Sequence, residues 1–346
     1  MRETLVPHDR LTAFTASCLE KLGLAAADAR LVAETLVASN LRGVDSHGVV
    51  RLPHYATRLR NGTVKARPSI AVRRTGPSAA TVEGDAGMGQ LVAVRAMREA
   101  IALARETGVG AVTARNSSHC GACAYFVELA AQEGMIGVAL THTDPIMVPP
   151  GMKRVFLGSN PIAFGAPGGS GPPVIVDMST THVAWGKVLV ARQEGKPIPP
   201  DWGIDAQGKP TTDADRAVAL APTGGHKGYA LALMVEILCA HLAGVPFGLH
   251  VTKMYGELGK PRNLGHFMLA LDVARFTDAA AFRSRIDLLV QEIRAQEAAD
   301  PARPPLAPGD PERLNAQRRS REGVPIGAAA LQELNALAAE LGVARL

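Results

Sequence analysis

The sequence predicts an α/β protein in which helices cover a mixed β-sheet and a second, discontinuous helical layer packs beside them. Three observations support this prediction. Strand-like and helix-like segments alternate between about residues 70 and 275, helical patterns occupy both flanks of that region, and 47% of the 346 residues are apolar. A chain of this length and apolar content can bury a large core, and we expect about two domains.

Both flanks carry helical patterns. Apolar residues recur at helical spacing through residues 7–41, with a break at Gly23, and residues 49–60 predict a third helix. Residues 282–346 predict a helical tail, which the proline-rich segment 301–310 interrupts. We expect the two flanks to pack together as one helical layer.

The central region predicts the strands and helices of the sheet. Val, Ile and Thr alternate with polar residues on either side of Gly76-Pro77, which indicates two short strands. The segments that follow are predicted as a helix over 89–106, a strand over 108–115, a helix over 122–133, strands over 135–142 and 174–180, a helix over 229–244 and a strand over 267–273. We therefore expect residues 71–275 to form an α/β domain, and residues 1–70 with 276–346 to form a discontinuous helical domain.

The composition argues against several classes of protein. The net charge of +5 is spread along the chain and only 4% of the residues are aromatic, so we expect no nucleic-acid partner. No stretch approaches the roughly 20 apolar residues of a membrane helix, so we expect no membrane partner. The N-terminus lacks the apolar centre of a signal peptide, and four cysteines are too few for a disulfide framework, which favours a cytoplasmic location. The positive charge can attract anionic substrates.

The usual phosphate-binding motifs are missing. No GxGxxG sequence links a strand to a helix, and Gly224-Gly225-His226-Lys227 is followed by glycine where a Walker A motif has Ser or Thr. A dinucleotide would therefore have to bind outside a standard βαβ unit.

The stretch DSHGVVRL, residues 45–52, is the first candidate site. Arg51 follows His47 by one helical turn, so an imidazole that exchanges protons and a guanidinium that holds a carboxylate could share one face. The alternative is that Asp45 or Ser46 only caps a helix.

The loop within residues 114–126 is the second candidate. His119 lies between a predicted strand and a predicted helix, which is where open α/β sheets bind ligands, and Ser117 or Ser118 could instead be a helix cap. The same loop holds Cys120 and Cys123, a CxxC pair that raises thiol redox chemistry as a different hypothesis. No second CxxC completes four metal ligands, so we expect no metal.

Two further strand ends carry polar residues. Asp144 follows a strand and could accept hydrogen bonds from a substrate, or could only form an Asp-Pro turn. Asp177, Ser179 and Thr180 come at the end of an apolar strand, where the hydroxyls and Lys187 could hold phosphate or ribose. The alternative is that these residues only cap a helix.

Taken in order, these motifs resemble a known family. DSHGVVRL, NSSHCGACAYF, TDPIMVPPG, LGSNPIAFGAP, VIVDMSTTHVAWGKV and GGHKGYALALMVEIL are similar to the type 2 malate/L-lactate dehydrogenases, which include ureidoglycolate dehydrogenases. The resemblance implies a three-layer α/β/α mixed sheet that binds NAD or NADP without a Rossmann domain, as in L-sulfolactate dehydrogenase. It also implies a helical domain for substrate binding and dimerisation, and a homodimer. We expect NAD in preference to NADP.

The resemblance also implies roles for individual residues. The catalytic group would be His47, His119 and Ser46, and the substrate would contact Arg51 and Asp144. The cofactor would contact Thr143, Asp177, Met178, Ser179, Lys187, Lys227, Pro308, Gly309 and Asp310.

The segments around Asp144 and over residues 245–266 look most like ureidoglycolate dehydrogenases. A carboxylate facing the substrate would pair with N–H donors, so we expect a 2-hydroxy or 2-keto acid that carries nitrogen. The alternatives are a malate or lactate type of substrate, a cyclic 2-imino acid reductase, and the thiol oxidoreductase suggested by the CxxC pair.

Overall fold

The computed structural model describes residues 3–346 and contains one large mixed sheet. Its helices are α1 (His8–Lys21), α2 (Ala26–Leu41), α3 (Leu52–Arg60), α4 (Gly89–Thr107), α5 (Ala124–Gln132), α6 (Trp185–Gln193), α7 (His226–Glu236), α8 (Ala279–Arg294), α9 (Asp310–Glu322) and α10 (Ala328–Leu341). Its strands are β1 (Glu3–Val6), β2 (Ala71–Gly76), β3 (Ala79–Glu83), β4 (Val109–Ser117), β5 (Met135–Thr141), β6 (Ile162–Ala166), β7 (Val174–Met178), β8 (Gly203–Ile204), β9 (Pro210–Thr211), β10 (Ala219–Leu220), β11 (Leu264–Asp272) and β12 (Val324–Gly327).

The seven-stranded sheet confirms the predicted α/β class. Its strand order is β2-β3-β4-β11-β5-β6-β7, in which β3 and β4 are parallel and the other neighbours are antiparallel. β11 enters the middle of the sheet from far along the chain, and it pairs with β4 on one side and β5 on the other. The carboxyl end of β4, where the His119 loop begins, therefore lies near the centre of the sheet rather than at an edge.

Alternating side chains on the strands build a three-layer arrangement. In β5, Ala139 packs into the core under α4 and α5, whereas Leu140 packs against α7 on the opposite face. The same two-residue period places Met268 and Phe267 of β11 on opposite faces. Close approach of the layers depends on small residues: a Cβ at Gly110 would overlap the carbonyl oxygen of Ala100 in α4.

A separate apolar core joins the N-terminal helices to the end of the chain. Leu11 and Leu36 of α1 and α2 pack with Leu334 of α10, and all three are buried. β1 pairs antiparallel with β12, which ties Val6 to Val324. Part of the tail is thus a strand rather than a helix, because the β-branched residues of β12 find a partner strand at the start of the chain.

The helices α8 and α10 of the C-terminal tail pack in two different places. α8 buries only Val290 of its own side chains, and its Asp287 accepts hydrogen bonds from the backbone of Gly169 and Ser170 at 2.9 and 2.7 Å. α8 is therefore attached to a loop at the β6–β7 edge of the sheet, whereas α10 belongs to the helical core. The division of the chain into residues 1–70 with 276–346 and residues 71–275 stays a prediction.

The sequence patterns did not indicate β6, α6 or the small sheet of β10, β8 and β9. These elements are short, and the two-residue strands of the small sheet lie within the polar segment 199–222. Among residues 3–346, no helix is long and apolar enough to cross a membrane.

Candidate active site

His47 lies in a short 3₁₀ turn that leads towards α3. The turn spans Asp45–His47, a second turn spans Val49–Arg51, and α3 begins only at Leu52. Neither Asp45 nor Ser46 makes a side-chain cap here, so the helix-cap alternative for this stretch is wrong. Ser46 instead places its Oγ 3.0 Å from Nδ1 of His47.

Two other helices hold this turn in place. Asp45 accepts hydrogen bonds from Asn40 Nδ2 of α2 at 2.7 Å and from Arg319 of α9 at 2.7 and 3.0 Å. Asn40 Oδ1 accepts the backbone N–H of Val49 at 2.9 Å, and a Cβ at Gly48 would overlap the Asn40 side chain. Glycine at this position lets the turn pack directly on α2, which fixes the direction of His47.

His119 follows β4 and is oriented from α3 and α4. The Tyr55 hydroxyl lies 2.7 Å from His119 Nδ1, and Gln90 Nε2 donates to the Tyr55 oxygen at 3.2 Å. A Cβ at Gly89 would overlap the backbone carbonyl of His119, so the start of α4 supports the loop directly. The sequence reasoning did not identify Tyr55, which lies in an ordinary helical pattern.

The polar residues just before His119 bind elsewhere. Asn116 donates to Glu83 at 2.6 Å, and the Ser117 Oγ lies 2.7 Å from Nε2 of the buried His266. α5 begins at Ala124 without a side-chain cap, so the alternative that Ser117 or Ser118 caps this helix is wrong.

The two histidine rings meet face to face. Their centroids are 5.6 Å apart with an interplanar angle of 26°. Burial, followed by the Arg51 charge, lowers the pKa of His47 from 6.5 to about 4. Burial, followed by the positive charges at His47 and Arg51, holds the pKa of His119 well below its usual value. Both imidazoles are therefore neutral at neutral pH, and each can accept a proton and then return it.

Arg51 lies beside this pair. Its Nε donates to the backbone oxygen of Ser46 at 2.6 Å, and its Nη1 donates to the Tyr255 hydroxyl. Within residues 3–346, no protein group accepts from its Nη2. The guanidinium is thus positioned by the histidine turn and keeps donors for a carboxylate.

Asp144 is already paired. Arg262 Nη2 donates to one of its oxygens at 2.6 Å and the Met254 N–H donates to the other at 3.1 Å. Arg262 is only 2% exposed, and its Nε and Nη1 have no acceptor in the described part of the chain. The site therefore contains an arginine–carboxylate pair where the sequence suggested a free carboxylate, and nothing in the sequence around Arg262 marks it.

A cavity of 260 Å³ lies beside the start of β7. Pro308, Gly309 and Asp310 line it together with Val174 and Ile175 of that strand. The Asp310 carboxylate is bound by Arg294 at 2.8 and 2.5 Å, by Arg313 at 3.3 Å and by the N–H of Ala307 at 2.9 Å. Arg294 holds the pKa of Asp310 down to about 2, so this carboxylate stays ionised and shapes the cavity wall.

β7 leads from this cavity towards the histidines. Its Asp177 accepts the N–H of Ala124 at 2.7 Å, at the start of α5 and five residues after His119. Burial raises the pKa of Asp177 to about 6. The adjacent Met178 is 43% exposed, so its side chain is available to a ligand.

The remaining predicted contacts cluster near the end of β7. Thr143 Oγ1 accepts the Ser159 N–H at 3.0 Å, and Ser179 donates to the backbone oxygen of Thr181 at 2.9 Å. Lys227 is exposed in the first turn of α7, which packs so closely on Thr180 that a Cβ at Gly228 would lie 2.6 Å from the Thr180 carbonyl oxygen.

Lys187 is exposed near the start of α6. This helix reaches the histidine turn, because a Cβ at the adjacent Gly186 would lie 3.7 Å from Cβ of Ser46. The structure thus places α6 beside the histidine turn, α7 beside Thr180 just after β7, and residues 308–310 beside the start of β7.

The CxxC pair is enclosed. Cys120 and Cys123 are 2% and 1% exposed, and both thiols are free. Their side chains belong to the core under α4 and α5. A partner dithiol has no access to either sulfur, which removes the physical basis of the thiol oxidoreductase hypothesis. Over residues 3–346, no group of three His, Cys, Asp or Glu side chains forms a metal site.

Known proteins resemble this chain along almost its whole length. The malate/L-lactate dehydrogenase family matches residues 6–335. A malate dehydrogenase from Pyrococcus horikoshii is 40% identical over 98% of this chain and 96% of its own. The NAD(+) ureidoglycolate dehydrogenase from Escherichia coli K12 is 38% identical over 88% of this chain and 87% of its own.

The fold matches solved structures as well. The sulfolactate dehydrogenase from Methanocaldococcus jannaschii superimposes with a TM-score of 0.92 at 34% identity, and the match covers 98% of each chain.

Proposed function

This chain belongs to the malate/L-lactate dehydrogenase family, and we propose that it transfers a hydride reversibly between a nicotinamide cofactor and C2 of a small 2-hydroxy or 2-keto acid. It is an oxidoreductase that acts on a CH–OH group. The observation that carries the proposal is the pair of neutral, stacked imidazoles of His47 and His119 beside the Arg51 guanidinium.

Arg51 binds the carboxylate of the substrate. A guanidinium can hold a carboxylate through two parallel hydrogen bonds, which fixes C2 relative to the neighbouring imidazoles. The bond from Arg51 Nε to the Ser46 oxygen keeps the guanidinium on the same turn as His47. The guanidinium that binds the substrate and one of the two imidazoles therefore belong to one rigid segment.

His119 handles the proton of the C2 oxygen. The Tyr55 oxygen accepts from Gln90 and, in this assignment, from Nδ1–H of His119, which leaves Nε2 of the neutral ring with a free lone pair. In the oxidative direction Nε2 accepts the proton of the C2 hydroxyl, and the ring becomes an imidazolium. In the reductive direction this imidazolium returns the proton to the carbonyl oxygen of the 2-keto acid.

His47 is the second acid/base group. It stacks on His119, and Ser46 holds its Nδ1. A positive charge on His47 lowers the pKa of His119, so an added proton on one ring disfavours an added proton on the other. At most one of the two rings is therefore an imidazolium at a time, and its added proton leaves readily.

The nicotinamide ring, when bound, accepts or donates the hydride. The groups proposed to hold the cofactor are Thr143, Asp177, Met178, Ser179, Lys187, Lys227, Pro308, Gly309 and Asp310. The fit is supported by the cavity at Gly309, by the exposed Met178, and by the two exposed lysines that can neutralise a pyrophosphate.

We propose NAD in preference to NADP. The cavity is lined by three guanidiniums, and a carboxylate binds each of them: Arg42 pairs with Glu128 at 2.6 Å, and Arg294 and Arg313 pair with Asp310. A 2′-phosphate would need an unpaired cation, whereas ribose hydroxyls can bind a carboxylate such as Glu128.

We propose that the substrate carries nitrogen, because of the partly exposed carboxylate of Asp144. The Asp144 side chain is 23% exposed, whereas that of Arg262 is 1% exposed, so the pair presents a carboxylate acceptor to a substrate. A ureido group has N–H donors that complement this acceptor. A second carboxylate, as in malate, would be repelled by Asp144.

The test is a substrate panel with purified protein. Ureidoglycolate, L-malate, L-lactate and 3-sulfolactate are offered with NAD and with NADP, and the corresponding keto acids and a cyclic 2-imino acid with NADH and NADPH. Formation or loss of the reduced nicotinamide is followed by absorbance. We expect turnover of 2-hydroxy acids, the highest kcat/KM with ureidoglycolate, and a lower KM for NAD than for NADP. Turnover of the cyclic imine alone would contradict the proposal.

The homodimer and the cytoplasmic location stay predictions. Exposed apolar side chains on α7 and the turns after it, including Ile237, Leu242 and Leu249, are a surface that a second copy could cover, and sedimentation velocity would test it.

A further inference from the structure

Tyr255 reaches into the active site from a part of the chain that the proposed mechanism does not use. It lies in the segment 253–260, between a short turn at Gly248–His250 and β11. Its hydroxyl accepts a hydrogen bond from Arg51 Nη1, and its ring lies edge-on to His54 with centroids 5.4 Å apart. A residue that is 57% exposed thus contacts two side chains of the histidine segment.

Buried groups anchor this segment at its base. Arg58, which is 1% exposed, donates to the backbone oxygens of Lys253, Met254 and Lys260 at 3.1, 2.9 and 3.1 Å. The Met254 N–H is bound to Asp144, whose other oxygen is bound to Arg262. Breaking such charge-assisted hydrogen bonds in the interior costs free energy. The backbone on both sides of Tyr255 is therefore fixed, and its hydroxyl stays beside Arg51. Asp144 and Arg262 therefore also act as positioning residues for Tyr255.

The Tyr255 hydroxyl has a hydrogen-bond donor that is not used within the described residues. The Tyr255 oxygen accepts from Arg51, so its O–H proton is available, and within residues 3–346 no other group is bonded to this hydroxyl. The available O–H therefore lies directly beside the guanidinium proposed to bind the substrate carboxylate. An anion at Arg51 would be within reach of both donors.

We propose that Tyr255 is a further substrate-binding residue, whose O–H donates to the same carboxylate that Arg51 holds. Its ligand class is the C1 carboxylate of a 2-hydroxy or 2-keto acid. This inference rests on the proposed function, because it assigns a second donor to the same anion. Since the contact is made equally to substrate and to transition state, it contributes to binding rather than to the chemical step.

The test compares Tyr255→Phe with the unmodified protein. Phenylalanine keeps the ring contact with His54 and removes only the O–H. We expect KM for the preferred 2-hydroxy acid to rise about 10-fold or more, as for a lost hydrogen bond to a charged group, with kcat changed less than about threefold. Calorimetry with oxamate, in the presence of saturating NADH, should show the same loss of affinity, whereas the dissociation constant of NADH alone should not change. Tyr125→Phe, on α5, is the matched control and should behave like the unmodified protein.

The outcomes separate the two proposals. An unmodified protein that oxidises no 2-hydroxy acid would overturn the proposed function and this inference with it. An active unmodified protein, with equal KM and equal oxamate affinity in Tyr255→Phe, would overturn this inference alone. Equal losses of oxamate and NADH affinity would also overturn it, since they would indicate a structural role for Tyr255.

Discussion

At the scale of single residues, burial and positive charge determine how the two histidines behave. Among residues 3–346 no carboxylate pairs with either imidazole, and Arg51 adds a repulsive charge, so both rings are held in the neutral form. His47 and His119 can be named as candidates from the sequence, because their motifs are specific when taken together. Tyr55 and Arg262 cannot be named in this way, since their contacts to His119 and Asp144 join segments far apart in sequence.

The depressed pKa values predict an unusual pH profile. Oxidation needs a neutral imidazole as base, and an imidazole is neutral above its pKa. Activity should therefore be retained as the pH falls through 6.5 and should be lost only near the His47 pKa of about 4. The measurement is kcat/KM for 2-hydroxy acid oxidation as a function of pH, with activity at neutral pH checked after each exposure to acid. A decline centred on 6.5 would contradict this expectation.

At the scale of elements, the histidine turn depends on a helix from the other end of the chain. Arg319 of α9 binds Asp45 through two nitrogens and also donates to the backbone oxygen of Asn40. The sequence showed Arg319 only as part of a basic cluster near the end of the chain. Its partner could not be inferred, because the packing of α9 on α2 is a tertiary contact with no local sequence signal.

Replacing Arg319 should impair catalysis, although its side chain binds Asp45 and not the substrate. In Arg319→Ala the turn loses its anchor to α9, and we expect kcat/KM to fall roughly 10- to 100-fold through misplacement of His47. Arg319→Lys keeps the charge without the two-pronged geometry and should be intermediate. The matched control is Arg318→Ala, since Arg318 is exposed and its one side-chain hydrogen bond within residues 3–346 is to Asn315. The measurement is kcat/KM of the three variants, together with their thermal unfolding followed by circular dichroism. Equal kcat/KM in Arg319→Ala and Arg318→Ala would exclude this role for Arg319.

At the scale of the whole molecule, the site lies where the helical core meets the sheet. His47 comes from the turn after α2, and His119 comes from the loop after β4. The α/β class and most central strands could be predicted, because period-two and period-3.6 patterns are local. The strand order could not, since the insertion of β11 between β4 and β5 and the pairing of β1 with β12 bring together residues more than a hundred positions apart.

The most direct test of the account is the loss of either histidine. His119→Ala and His47→Ala should each lower the rate of NADH formation from the preferred 2-hydroxy acid by about 10² to 10⁴, the usual contribution of a positioned acid or base. Binding of NADH, followed by its fluorescence, and the unfolding temperature should not change, and His8→Ala, at the start of α1, serves as the control. Near-normal rates in both active-site variants would contradict the central claim that these two imidazoles carry the proton transfer.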